Sequence, residues 1–294
     1  MTRPEFTVVR HVRLANGVQL EIAEQGPRDG QPVVLLHGIT DSRLSYEPMW
    51  HQLPKQWHTV AVSLRGHGDS DRPQPCTVPD MAGDVALLAE TLQLEPMVVV
   101  GHSMGAAVAM QLAIDRPDLV RALVGMGAFA RFGDKADLRS YRDTEIEALR
   151  DPIPDRVARE FQVSTLAGSM DPAMLEMMVR ESRKVPARVW RAAFDGLLAD
   201  SFCAGLPMLK VPVLLIWGSA DAFVPRADCD TLRNVLPSAQ LQVYEGVGHA
   251  LHWEQPARVA GDLRRFVDAL LVRKSMHEPT EVGVTAEGAL RRAG

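Results

Sequence analysis

The stretch that decides the fold is Met97-Val98-Val99-Val100-Gly101-His102-Ser103-Met104-Gly105-Ala106-Ala107-Val108. A β-branched run ends at Gly101, and Ala-rich sequence with apolar residues at helical spacing follows. This predicts a strand running straight into a helix, with Ser103 at the break. Glycines two residues before and two after the serine complete a G-x-S-x-G pattern. Such a turn holds the serine in a strained conformation with its hydroxyl exposed. Side chains at 101 or 105 would collide where strand and helix cross. The hydroxyl then lies near a helix N-terminus, whose free N–H groups favour developing negative charge. The pattern alone is weakly specific, so its weight depends on what the rest of the chain supplies.

Outward from this stretch, strand and helix alternate. Phe6–Val12 and Val18–Ala23 read as an antiparallel pair joined by the hairpin signal Asn16-Gly17. Pro32–Leu36 is a continuous apolar run, as expected of a strand covered on both faces. A helix is predicted over Tyr46–Leu53, a strand over Thr59–Leu64, and a helix from Met81 to Leu94 capped by Asp80. The helix after Ser103 should stop at Arg116, before Pro117, and Leu119–Met126 is the next strand. Val211–Trp217 and Gln240–Glu245 complete eight predicted strands, with a helix over Arg226–Leu236 between them and a final helix from Pro256 to Arg273. From Val33 onward, alternation of this kind implies an α/β fold with a parallel sheet and helices on both faces.

The period changes between Phe129 and Leu206. Helices are predicted over Leu138–Arg150, Asp155–Ala167, Pro172–Arg183 and Pro186–Ala199, broken by Pro152, Pro154, Pro172 and Pro186, with no strand among them. The expected organisation is a core in two parts, 1–128 and 207–274, interrupted by an all-helical insertion at 129–206 and followed by a mobile tail at 275–294. Met170, Met174 and Met177, with Trp190 and Phe194, are candidates for an adaptable apolar pocket wall, against the alternative that they only pack helix on helix.

Composition narrows the function classes. The 294 residues are 46% apolar and 23% charged, an ordinary globular balance long enough for a sizeable core. A net charge of −5 without a basic block gives nucleic-acid binding no electrostatic support. No apolar run reaches transmembrane length, and Met1–Arg10 lacks the apolar core of a secretory signal, so a cytoplasmic location without membrane attachment is expected. Cys76, Cys203 and Cys229 are odd in number and far apart, arguing against a disulfide framework or a zinc site. No metal or cofactor is expected, and the chain would act as a monomer or homodimer.

A serine hydroxyl needs a base, an acid to orient the base, and donors for an oxyanion. Candidates stand at other predicted strand ends, the edge where ligands of open α/β sheets collect. His249 follows the last strand in a Gly-x-Gly-His turn and is the best base, with His252 its rival. Asp221 follows the strand ending at Trp217 and is the best acid, ahead of Asp228 and Asp230. The backbone N–H groups of Met104 and Ile39 are the candidate oxyanion donors. His37, Arg65 and His67 are expected to brace turns, and His102 to point back beneath the serine.

In this combination the chain resembles the α/β-hydrolase fold family. The resemblance rests on His37-Gly38-Ile39, Arg65-Gly66-His67-Gly68-Asp69-Ser70, Gly101-His102-Ser103-Met104-Gly105, Gly218-Ser219-Ala220-Asp221 with Pro225, and Gly248-His249 with Glu254 and Pro256. It implies an eight-stranded, mostly parallel sheet flanked by helices, with the first hairpin at the antiparallel edge, and it makes the 129–206 insertion a cap domain. It also implies a serine hydrolase with the triad Ser103, Asp221 and His249, acting on a small, largely apolar ester or lactone. The family's dehalogenases and epoxide hydrolases place aspartate where this chain has Ser103. Its carbon–carbon bond hydrolases of vinylogous diketones are the alternative, set back by His102 in place of their usual asparagine. A hydrolase-like small-molecule receptor is a further alternative.

Overall fold

Runs without polar interruption form the middle of one sheet, and alternating runs form its edges. The computed structural model describes residues 7–277 apart from 95, 200, 201 and 237. Its strands are β1 (Val8–Arg13), β2 (Gln19–Gln25), β3 (Pro32–Leu36), β4 (His58–Val62), β5 (Met97–His102), β6 (Val120–Met126), β7 (Val213–Gly218) and β8 (Ala239–Tyr244). They lie in the order β1-β2-β4-β3-β5-β6-β7-β8. β2 is antiparallel to both β1 and β4, and every other pairing is parallel. Every residue of β5 is buried, as a strand covered on both faces requires. β8, at the far edge, alternates half-buried and exposed residues until Tyr244. The β1–β2 turn is the one Asn16-Gly17 announces: Gly17 has φ 85°, and the Val18 N–H donates to Asn16 Oδ1 at 3.1 Å.

The helices are α1 (Glu47–Trp50), α2 (Val78–Leu92), α3 (Met104–Asp115), α4 (Ala136–Tyr141), α5 (Asp155–Ser164), α6 (Pro172–Lys184), α7 (Ala187–Leu198), α8 (Arg226–Val235), α9 (Leu251–Glu254) and α10 (Pro256–His277). The twofold side-chain period of the strands sorts them into two cores. Val34, Leu36 and Val99 join the side of α2 and α3, whereas Val33, Leu35, Val98 and Val100 join Trp50, Leu263 and Phe266 on the other. The first ten residues of α3 are all buried. Its alanines let it lie close against the sheet and α2, and a helix apolar all round belongs in such a place.

Several boundaries differ from the expected ones for local reasons. α2 begins at Val78 rather than Met81, because Thr77 is the N-cap and Asp80 its capping-box partner; the Thr77 N–H donates to Asp80 Oδ2 at 3.0 Å. The helix expected over Tyr46–Leu53 is a 3₁₀ turn, Arg43–Tyr46, running into the single turn of α1. Between β6 and β7 the described residues hold only helices and turns. The prolines there start helices as well as end them: Pro154 and Pro186 are the N-caps of α5 and α7, and Pro172 opens α6. α10 runs to His277, four residues past its expected end. The rest of the expected tail, 278–294, lies outside the described residues.

Candidate active site

The end of β5 and the start of α3 meet at Ser103, whose φ of 51° and ψ of −113° are unusual for a residue with a side chain. Strain of this kind persists only where surrounding structure enforces it. Here the Ser103 N–H donates to the Met126 carbonyl at 2.9 Å, and the Ser103 carbonyl accepts from Ala106 N–H at 2.9 Å. The flanking glycines have no room for a side chain. A Cβ at Gly101 would lie 2.2 Å from the Gly105 carbonyl oxygen, and one at Gly105 would lie 2.0 Å from that of Leu36. The Met104 N–H is the first of α3, where no intrahelical acceptor exists.

Two loops on the same edge of the sheet bring up the partners. His249 Nδ1 lies 2.7 Å from Asp221 Oδ2, and the Asp221 side chain is fully buried. The other oxygen, Oδ1, accepts from the Phe223 and Val224 N–H groups at 2.8 and 2.9 Å. Burial alone would raise the Asp221 pKa; the adjacent His249 and the two backbone N–H groups outweigh it and hold the carboxyl below its ordinary value. A carboxylate so held fixes the imidazole by Nδ1 and leaves Nε2 for proton transfer. Gly127 lies against this ring, with φ 55°, and a Cβ there would come within 2.9 Å of it.

The rival candidates are engaged elsewhere. His252 is fully buried with Nε2 2.9 Å from Ser45 Oγ. Asp228 accepts from the Ala130 N–H and pairs with Lys135 at 3.0 Å, while Asp230 pairs with Arg226 on the surface. His102 does lie beneath the turn. Its Nε2 is 3.1 Å from the His249 carbonyl, and burial first, then the neighbouring His249, lowers its pKa to about 3, so it is neutral. His37 spans its loop, accepting from the Leu64 N–H at 3.0 Å and reaching the Gly38 carbonyl at 2.7 Å through Nδ1. Arg65 grips Asp84 with two hydrogen bonds of 2.6 Å, and His67 reaches the Arg65 carbonyl at 2.9 Å.

Ser103 and His249 open into one cavity of about 480 Å³, counting its mouth. Gly38 and Ile39 form part of its wall, beside the Ser103 turn. Its apolar lining is largely aromatic: Phe132, Phe161, Phe194, Phe223 and Trp253. Of the expected pocket residues only Phe194 lines it. Met170, Met174 and Met177 instead pack with Met178 and Ala250 around Trp253, on a separate small core. Trp190 is fully buried behind Phe161, ring centroids 5.1 Å apart. The reason is geometric: α5 and α7 face the cavity, whereas α6 turns its methionines toward the loops around Leu44 and Ala250.

Asp41 and Gln162, neither picked out by sequence, also line the cavity. Asp41 follows the Ile39 turn, and Thr40 between them has φ 67°. Gln162 Nε2 donates to Asp41 Oδ1 at 2.9 Å and to Ser182 Oγ at 2.6 Å, and Ser45 Oγ donates to Asp41 Oδ2 at 3.1 Å. Burial pushes the Asp41 carboxyl up to about 7, against the pull of these hydrogen bonds and of His249. The one available signal was Asp41's position two residues after Ile39; nothing in the pattern of α5 marked Gln162.

Among the described residues no helix is long and apolar enough to cross a membrane. No group of three or more His, Cys, Asp or Glu side chains among them could hold a metal ion.

Comparison with known proteins agrees with this fold. The family described as the alpha/beta hydrolase fold matches residues 31–256. An uncharacterized protein of Mycobacterium tuberculosis is 28% identical over 309 residues, spanning 99% of this chain and 86% of that protein. The 2-(acetamidomethylene)succinate hydrolase of Mesorhizobium japonicum is 29% identical over 273 residues, spanning 86% of this chain and 92% of that enzyme. The solved structure of a thermophilic esterase from Thermogutta terrifontis superposes with a TM-score of 0.79 at 26% identity, covering 90% of this chain and 99% of the esterase.

Proposed function

Since this chain belongs to the alpha/beta hydrolase fold family, we propose that it is a serine hydrolase that cleaves a carboxylic ester or lactone of a small, largely apolar substrate. The observation that carries the reading is the 2.7 Å contact of His249 with buried Asp221 on the rim of the cavity that contains Ser103. In this mechanism His249 takes the Ser103 proton through Nε2 as the hydroxyl attacks the carbonyl, and Asp221 stabilises the imidazolium. The N–H groups of Ile39 and Met104 receive the oxyanion. One such donor typically contributes about 3 kcal/mol to lowering the barrier. His249 then protonates the departing alcohol and activates the water that releases the acyl group.

The helical segment 129–206 acts in this reading as a cap, because Phe132, Phe161 and Phe194 close the cavity over Ser103. The aromatic lining and the scarcity of charge favour an uncharged substrate. The thermophilic esterase supports ester chemistry by its likeness. The buried thiols Cys76 and Cys229 fit a reducing, cytoplasmic setting.

The test is a panel of p-nitrophenyl esters, lactones and vinylogous diketones, with wild type and Ser103→Ala side by side. Ser103→Ala should fold, and its ester turnover should fall by a factor of roughly a million. Retained turnover removes Ser103 from the reaction. Preference for the diketones would move the reading to carbon–carbon bond hydrolysis, and near-stoichiometric hydrolysis to a receptor.

A further inference from the structure

Two loops far apart in sequence share one carboxylate. Glu254, at the end of α9, is half-buried. Its Oε1 accepts from the Gly248 N–H at 2.9 Å and from the Ala167 N–H at 3.2 Å, and its Oε2 accepts from the Gly168 N–H at 2.8 Å. Gly248 is the residue before His249, whereas Ala167 and Gly168 follow α5 in the helical segment read above as a cap. Hydrogen bonds to an ionised acceptor are the stronger kind. Gly248 is buried, so its N–H requires a protein partner, and Glu254 is that partner. The three pieces are in direct contact: a Cβ on Gly248 would stand 2.5 Å from Ala167 N and 2.7 Å from Glu254 Oε1. On the other side of His249, the Ala250 N–H donates to the Thr165 carbonyl at 3.0 Å. Asp221 holds the imidazole of His249, but the backbone that carries it is held from the cap side.

We infer that Glu254 is a positioning residue for the base: it fixes His249 by tying the loop at Gly248 to the cap loop at Ala167–Gly168. This rests on the serine-hydrolase reading above and adds a residue that acts through His249 without touching substrate. Small misplacements of a catalytic group cost large factors in rate.

The experiment measures kcat and KM for p-nitrophenyl acetate, together with the proton resonance of the hydrogen bond from His249 Nδ1 to Asp221. Glu254→Leu keeps an apolar stem and removes both acceptors. Its kcat should fall by a factor of about ten to a hundred. KM should hold, because acylation and deacylation both use His249, and the Nδ1 proton should exchange too fast with water to be seen. Glu254→Gln keeps one acceptor for Gly248 and should recover most of the loss. Gly168→Ala acts from the cap side: its Cβ would stand 2.8 Å from Glu254 Oε2, the end of a flexible side chain that can yield. It should fold and lower kcat less than Glu254→Leu does, and it carries the test if Glu254→Leu does not fold. Wild-type kcat and resonance in the assayable variant, or a change in KM alone, overturn the inference. Equal losses in Glu254→Gln and Glu254→Leu would assign the effect to charge and also overturn it. If wild type turns over none of the esters, the hydrolase reading falls, and the resonance still decides whether Glu254 holds His249.

Discussion

At the scale of single residues, the site depends on positions where no other side chain fits. Gly105 is one of them: an added Cβ would meet backbone, the Leu36 carbonyl, at 2.0 Å, and backbone in mid-sheet cannot yield. Gly105→Ala should therefore lose at least about 3 kcal/mol, the upper range of ordinary overpacking, which thermal unfolding would register. Asp41 gives a prediction with a definite sign. Its folded pKa of about 7 lies above the ordinary 3.8. Ionisation thus opposes folding, with a cost that begins as pH rises past 3.8 and is complete above 7, to a ceiling of about 4 kcal/mol. The melting temperature of Asp41→Asn relative to wild type should climb between pH 4 and pH 8; a flat difference would show that the carboxyl is not buried in this way. Ser103, Asp221 and His249 were legible in sequence because each follows a strand and their order is constrained. Asp41 and Gln162 were not, since a lone acid in a loop and a lone amide on a helix acquire meaning only when they touch.

At the scale of elements, the ion pair of Arg65 and Asp84 joins three pieces of the chain. The Arg65 guanidinium, in the loop after β4, holds Asp84 of α2, and Asn16 of the β1–β2 turn donates to the same carboxylate at 2.8 Å. Asp84 is fully buried. Arg65→Met should cost about 3–5 kcal/mol by stranding that charge, whereas Arg65→Met with Asp84→Leu should recover most of it. Denaturant titration of both variants measures the difference, and equal losses would mean the pair is more than an electrostatic clasp. Strand positions were readable because burial on both faces leaves long apolar runs. Helix starts were less so: Asp80 and Thr77 are both good caps, and only the reciprocal bond between them shows which one begins the turn. The methionines of α6 misled for a related reason. A stripe at helical spacing reports that a face is buried and says nothing about what it is buried against.

At the scale of the molecule, the Ser103 cavity does not stand alone. A second cleft of about 940 Å³, counting its open mouth, lies between α5 and the π-helical stretch Arg142–Ile146 and shares Phe161 and Phe223 with it. Their ring centroids are 6.4 Å apart, and they form the partition between the two spaces. Phe161→Ala should merge them and raise kcat/KM for p-nitrophenyl hexanoate relative to acetate by about tenfold, within the range that a few methylenes contribute in an apolar pocket. An unaltered chain-length profile would place the substrate path elsewhere. No sequence pattern could have shown this partition, because one ring comes from the helical block and the other from the loop beside Asp221.

The strand order carries one more consequence. Ser103 follows β5, which has four strands on one side and three on the other, whereas His249 follows β8, the outermost strand. Local opening begins at edges and reaches central strands last. Amide hydrogens around the serine should exchange with solvent as slowly as any in the chain, and those of β8 and the His249 loop much sooner. On gentle denaturation the His249 loop would then part from Asp221 and the cavity while Ser103 is still held in place.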